Sequence, residues 1–306
     1  MRPLNHAISR FNIPVKISIK LFHSYIEPII LYNAENSLIL TEKQFGLPPD
    51  KIIINEKIVV NLLHRKFLKY ILGVNRSAPN LAVYGDTGET PLLAKGFRFM
   101  INFWYRLHTL PDETLVKKAL IENITIRSPW LRTIEKLLDI FHIPYSESPL
   151  QFKSNTISFI NQKYISLWKK HMEQEDSPRL EFYKTIKKDF GFEEYLLTAY
   201  EIRKNIAKLR TSTHSLEIQR GRHKNQHRTE RICRTCKLDK VENERHFLIE
   251  CPSYDLIRIR HDMKRFTNIS ELMRETPHCS LGTFIIRALD LREKILHLIE
   301  TTRGFS

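Results

Sequence analysis

Apolar residues recur at helical spacing along most of the chain. Leu21, Phe22, Tyr25, Ile26, Ile29 and Ile30 form one such stripe, and Pro28 within it marks a kink or a boundary between two short helices. Ser37 to Asp50, closing on Gly46-Leu-Pro-Pro-Asp50, reads as a loop. A second helix is predicted from Ile52 to Leu72, stopped by Gly73. Asn75 to Leu92 holds Pro79, Gly85, Gly88 and Pro91 and reads as mostly turn. Phe97 to Leu110 is a third helix carrying Phe97, Phe99, Phe103, Trp104 and Tyr105. An aromatic stripe at this spacing reads as core packing, with a base-stacking surface as the alternative.

The helical pattern continues through Thr114–Glu122, Trp130–Phe141 and Thr156–Gln174. Pro144 to Pro149 between the last two reads as a linker and a domain boundary. Asp176-Ser177-Pro178 suits a helix start, with Phe182, Ile186 and Phe190 on one face and Gly191 as its end. Tyr195, Leu196, Ala199, Ile202, Ile206 and Leu209 mark the next face, and helices are expected over Tyr254–Phe266 and Leu281–Thr301. Only nine glycines occur in 306 residues, and Leu, Ile, Lys and Glu abound. The predicted fold class is therefore mainly α, without internal repeats. The expected organisation is a helical domain over 1–145, a helical basic region over 150–210, a small metal-binding module over 211–262 and C-terminal helices over 263–306.

Charge adds a function class. The net charge is +15, which attracts polyanions, nucleic acid before an anionic membrane surface. Between Glu201 and Lys240 twelve Lys or Arg stand against four Asp or Glu, a net of +8 in about an eighth of the chain. Arg203, Lys204, Lys208 and Arg210 lie on or beside a helix. Arg220, Arg222, Lys224, Arg228 and Arg231 follow in a polar run with His223 and His227. Arginine predominates in that second group, which suits bidentate phosphate contacts. Contacts of that kind depend on salt and do not read sequence. A solvated charge run is the alternative. No apolar h-region opens the chain and no apolar run reaches membrane-spanning length, so a nuclear or cytoplasmic location and no membrane partner are expected.

Four cysteines do not make a disulfide scaffold, and three of them cluster. Cys233-x2-Cys236-x9-His246-x4-Cys251 presents three thiols and one imidazole within nineteen residues. Zn²⁺ takes four such ligands at tetrahedral corners, and a site whose corners are all filled by protein is structural, since a catalytic zinc keeps one open for water. One structural Zn²⁺ is the expected cofactor. Basic neighbours Arg231, Arg234 and Lys237 are expected to favour the thiolates. Redox use of the Cys-x-x-Cys pair lacks a thioredoxin-like strand context, and Cys279 reads as a buried thiol outside the set.

Three stretches together resemble the C-terminal part of non-LTR (LINE-type) retrotransposon reverse transcriptases. They are Pro14–Phe22 running into Tyr25–Tyr32; Phe67–Asn75 with Asn80–Gly88 and Pro91-Leu92; and Leu209–Ile218 with Gly221-Arg222 and the Cys-Cys-His-Cys set through Arg258. The resemblance spans most of residues 14–260, and the ordered cysteines and histidine are its most specific part. Tyr32-Asn-Ala-Glu35 keeps the tyrosine and glutamate of the family's Tyr-Gly-x-Glu-x-Trp motif but lacks its glycine and tryptophan. The resemblance implies a thumb-like helical region over 1–145, a zinc domain after it, and RNA or DNA as partner.

The family's activity is RNA-directed DNA synthesis, but this sequence has no Phe/Tyr-x-Asp-Asp and no Asp-Asp pair to hold two Mg²⁺ ions. Arg260-His261-Asp262 is similar to the first motif of a restriction-like nuclease, yet no Pro-Asp with a distant second Asp follows, and it reads as a charged helix face. The expected function is nucleic-acid binding, not catalysis. No small-molecule substrate is expected, and the polymerase portion of an element is a possible partner. The alternative is a zinc-stabilised helical module that binds protein.

Overall fold

A computed structural model describes residues 2–54 and 57–303. The chain is mainly α-helical: eighteen α-helices lie among the described residues, with two isolated β-bridges, Thr87 to Phe192 and Ile232 to Val241. Two compact units form. The first comprises Ile19–Phe67 and Gly88–Gln174; the second comprises Arg2–Ser18, Leu68–Thr87 and Glu175–Ser306. Each unit is discontinuous in sequence, which no local pattern signals.

In the first unit the Leu92–His108 helix is the centre. Its face of Leu93, Ala94, Phe97, Met100, Ile101 and Tyr105 is buried, while Phe99, Phe103 and Trp104 are only half-buried. The aromatic stripe is therefore core along one side only. Pro144 to Pro149, expected to separate domains, lies within this unit. Tyr105 donates its hydroxyl to the Ser146 carbonyl at 2.7 Å, and its ring stacks on Phe152 of the Pro149–Gln174 helix with centroids 4.0 Å apart. Trp130, at the start of the Pro129–Phe141 helix, donates Nε1–H to the Glu35 carbonyl at 2.7 Å.

Several element boundaries differ from those predicted. The Leu21–Ile30 stripe is helical throughout, but a π-turn over Phe22–Ile26 precedes a short helix Glu27–Ile30 with Pro28 in its first turn. The expected loop Ser37–Asp50 contains short helices at Glu42–Phe45 and Pro49–Ile53, and the helix expected from Ile52 starts at Val59. The Asp176–Gly191 segment contributes only Glu181–Ile186, and helix Asp255–Arg260 ends well before Phe266.

The largest difference is Asn75–Leu92. It holds the Asn80–Thr87 helix, in which every residue from Leu81 to Thr87 is buried. Glycine and proline suggested turns, but Gly85 sits inside the helix, and Gly88, at φ +68°, ends it in the left-handed region that glycine enters without strain.

In the second unit, Asp86 of that helix is fully buried and meets four donors. The Tyr183 and Tyr195 hydroxyls donate at 2.9 and 2.8 Å, and Arg210 Nε and Nη2 each donate at 2.8 Å. Burial, and then the Asp86 charge, holds both tyrosine pKa values well above the ordinary range. Burial alone would lower Arg210, but the Asp86 carboxylate outweighs it and holds the guanidinium charged. The Tyr200–Arg210 helix also packs on the 26-residue helix His278–Arg303. The crossing is close: a Cβ on Gly282 would lie 2.4 Å from the Ile202 side chain and 3.2 Å from its Cα.

Candidate metal centre

The Cys-x-x-Cys pair is held by a short hairpin. Ile232 bridges Val241, Cys233 N–H donates to the Lys240 carbonyl at 2.8 Å, and Glu242 N–H donates to the Arg231 carbonyl at 2.9 Å. Asp239, at φ +47°, helps turn the chain between the two arms. The other pair comes from a π-turn, His246–Glu250. The Asn243 side chain accepts from His246 N–H at 2.8 Å and starts the turn; Cys251 N–H closes it on the His246 carbonyl, also at 2.8 Å. This i→i+5 bond explains the spacing, because the wider turn brings residues five apart together where an α-turn would not.

Cys233, Cys236, His246 and Cys251 offer ligand atoms that all lie within 4.8 Å of one another. Cys233 Sγ is 3.9 Å from Cys251 Sγ, and Cys236 Sγ is 3.4 Å from His246 Nε2. With metal–sulfur bonds of about 2.3 Å and metal–nitrogen bonds of about 2.0 Å, a tetrahedron has edges of about 3.8 Å between sulfurs and about 3.5 Å between sulfur and nitrogen. The two measured edges match. Cys233, His246 and Cys251 are buried and Cys236 is half-buried, so the donor set fits one metal ion with every corner supplied by protein.

The thiols titrate unequally. Cys251 accepts from the Cys233 thiol and, at 3.7 Å, faces the Thr235 hydroxyl, which pulls it down to about 7. Cys233, having donated that bond in a buried place, is pushed up to about 12. Burial raises Cys236. Two of the three basic neighbours expected to favour the thiolates point elsewhere: Arg231 donates to the Gln226 and Ile218 carbonyls, and Arg234 pairs with Glu300 at 3.5 Å.

A second layer holds the hairpin. Glu242 is fully buried, with Oε1 3.8 Å from Cys233 Sγ. Arg292 of the long C-terminal helix meets it with Nε to Oε1 at 2.7 Å and Nη2 to Oε2 at 2.6 Å, and reaches Glu217 Oε1 at 3.0 Å. Arg258, also buried, donates to the Cys251 carbonyl and to Asp255 Oδ1 at 2.6 Å. Both guanidiniums are thus matched by carboxylates, Arg292 by Glu242 and Glu217 and Arg258 by Asp255. Sequence reasoning missed Arg292 and Glu242, although a signal existed. Phe284, Ala288, Arg292 and Leu296 share one buried helix face, and a charge at a core position of such a stripe implies a buried partner.

The predicted nucleic-acid residues divide. Arg203 is buried and donates to the Thr198 carbonyl at 3.2 Å. Arg210 is committed to Asp86, and Arg231 to backbone carbonyls. Arg228 is exposed but makes a two-pronged pair with Glu181, both bonds 2.7 Å. Arg203, Arg210 and Arg231 are structural, their charges matched or turned inward, whereas the Arg228–Glu181 pair lies at the surface. Lys204 lies over the Tyr200 ring, 5.2 Å from its centroid, and Arg220 is 3.8 Å from Glu217. Lys208 and Arg222 are half-buried, and Lys224 is exposed. Cys279, expected to be buried, is exposed. Among the described residues no helix is long and apolar enough to cross a membrane.

No family model, curated protein or solved structure matches this chain.

Proposed function

We propose that this chain binds nucleic acid through the basic surface of its second unit, and that one structural Zn²⁺ on Cys233, Cys236, His246 and Cys251 holds that surface in shape. The closed three-thiol, one-imidazole set carries the reading. Its donors suit Zn²⁺, and with no corner left for water the ion supplies folding energy. From Arg220 to Lys240, in the chain running into and through this site, six Lys or Arg are exposed against two exposed acids, Glu230 and Asp239. The resemblance to the C-terminal region of LINE-type reverse transcriptases supports the same reading, as a thumb-like and zinc-bearing region. The sequence has no palm carboxylate pair, so binding is proposed and polymerisation is not.

The test uses the full chain purified with its metal. Elemental analysis should give one zinc per chain, lost in Cys233→Ser. Binding of a labelled single strand should weaken as salt rises, as phosphate contacts release counterions. Changing Arg220, Arg222 and Lys224 together to Ala should weaken it further, whereas changing Arg203, Arg210 or Arg231 should act through stability. A strand that fails to bind even at low salt would sink the proposal and leave the zinc-stabilised protein-binding module as the better reading. A folded protein free of metal would refute the zinc assignment.

A further inference from the structure

A cavity of about 530 Å³ opens within the second unit, walled by the helices Tyr200–Arg210, Glu217–His223 and His278–Arg303. Its lining has two characters. Lys208, Arg179, His223, Asn75, Asn205 and Ser212 offer cationic and neutral hydrogen-bonding groups. Leu209, Leu216, Phe247, Ile285 and Leu289 offer an apolar wall. Pockets of this size with convergent polar groups on an apolar wall suit a small organic ligand.

Three observations say which. First, cations gather on one side of the cavity. Lys208 has no carboxylate within ion-pair distance among the described residues, and burial together with neighbouring Lys204 lowers its pKa. Outside the lining, Arg222 is lowered by burial and then by the charges of Arg179 and Arg231, against the pull of Glu244. Arg179 is held in place by donating Nη1–H to the Ser77 carbonyl at 2.8 Å. Crowded, half-buried cations are relieved by an anion.

Second, Ser212 lines the cavity at φ +52° and is only 6% exposed, yet its hydroxyl has no hydrogen-bond partner. Left-handed backbone in a non-glycine residue and an unmatched buried hydroxyl are both unfavourable, and a ligand that accepts from the hydroxyl offsets the second. Third, Asp290 and Glu293 line the cavity from the C-terminal helix, one turn apart. Carboxylates reject a second anion but accept from sugar hydroxyls.

We propose that this cavity is a nucleotide pocket, in which a phosphate meets Lys208, Arg179 and Ser212 while the base packs on Leu209, Ile285 and Leu289 and the ribose hydroxyls face Asp290 and Glu293. The nucleotide is either one unit of a bound RNA strand or a free nucleoside monophosphate; the phosphate-plus-ring chemistry is the same. The strand-bound form rests on the nucleic-acid reading above, and it adds a half-buried cation in a cavity to the exposed ones of that reading.

The experiment measures the zinc-loaded full chain against three probes: a fluorescein-labelled single-stranded oligouridylate, uridine monophosphate and inorganic phosphate. The variants are Lys208→Met, Ser212→Ala, and Leu289→Trp, which fills the cavity without touching charge. Lys118→Ala, in the first unit, is the exposed control, and thermal melting with zinc content checks the fold of each. Loss of a charge-assisted bond predicts weakening of about tenfold or more in Lys208→Met. Leu289→Trp should match it and Lys118→Ala should change little.

That pattern with the oligouridylate establishes the pocket as a strand site. The same pattern with uridine monophosphate alone, and no strand binding, upholds the pocket and overturns the proposed nucleic-acid function. Strand binding that all three pocket variants leave unchanged overturns the pocket and leaves that function standing. Binding of inorganic phosphate as tightly as the nucleotide overturns the assignment of the apolar wall to a base, and no binding of any probe overturns both proposals.

Discussion

Replacing Arg292 with Met tests whether the metal centre depends on the long C-terminal helix. Arg292 is 1% exposed and Glu242 is fully buried, and three hydrogen bonds join Arg292 to Glu242 and Glu217. Burial alone would lower the Arg292 pKa, but the Glu242 contact outweighs it and keeps the guanidinium charged. Two charge centres roughly 4 Å apart interact by about 4 kcal/mol at an effective dielectric constant near 20. Removing one partner of a buried pair typically costs about 3–5 kcal/mol, because the other charge stays buried without compensation. Both routes give the same scale. For a unit of this size it corresponds to a fall in Tm of about 6–20 °C.

The metal should feel the change as well. With Arg292 gone, the Glu242 carboxylate stands 3.8 Å from Cys233 Sγ with no counter-charge and disfavours the thiolate the metal needs. Loss of a group that supports a metal ligand typically lowers affinity by about 10–100-fold. The double change Arg292→Met with Glu242→Gln removes both charges and should recover part of each loss. Circular dichroism melts and chelator-monitored release of the metal should both shift. A single variant within about 1 kcal/mol of the wild type, or a double variant worse than the two single changes added, would refute this account of the buried pair.

Other outcomes follow from the same geometry. Asp86→Ala should destabilise the second unit by about 3–5 kcal/mol by leaving Arg210 buried without its carboxylate; a shift under about 1 kcal/mol in urea melts monitored by circular dichroism would count against it. Gly282→Leu should cost at least about 1–3 kcal/mol, since even a Cβ there meets Ile202 at 2.4 Å; wild-type stability would show that the two helices are not in close contact.

Glu27 and His23 should together add most to the first unit's stability between about pH 4.5 and pH 6.5, while His64, which burial pulls down to about 3, contributes stability that is lost as pH falls below 6.5. Burial would raise Glu27, but hydrogen bonding to His23 and the Lys95 charge pull it down to about 2, so its contribution holds above 4.5 and is lost as pH falls. Burial would lower His23, but hydrogen bonds to Glu27 and Glu89 raise it, so its contribution holds below 6.5 and is lost as pH rises through the raised value. Tryptophan-monitored melts should show both limbs, and His23→Gln should flatten the upper one; an unchanged upper limb would mean that His23 is not the group responsible.

The helical class and the four candidate metal ligands were legible in the sequence because each rests on local spacing. A 3.6-residue apolar repeat needs no distant partner to be seen, and Cys-x-x-Cys and His-x4-Cys are each built within a single turn of backbone. What the tertiary structure decided is which charges are spent. Arg203, Arg210 and Arg231 look like Lys208 and Arg222 in a charge count, but Arg210 is matched by Asp86, 124 residues away, and Arg203 and Arg231 are turned to backbone carbonyls.

The same limit hid the Asn80–Thr87 helix. Glycine lowers local helix propensity, and the burial that overrides it comes from residues far along the chain. Local spacing shows which groups can make a site. A buried ion pair needs a partner within a few ångströms, and only folding brings it there.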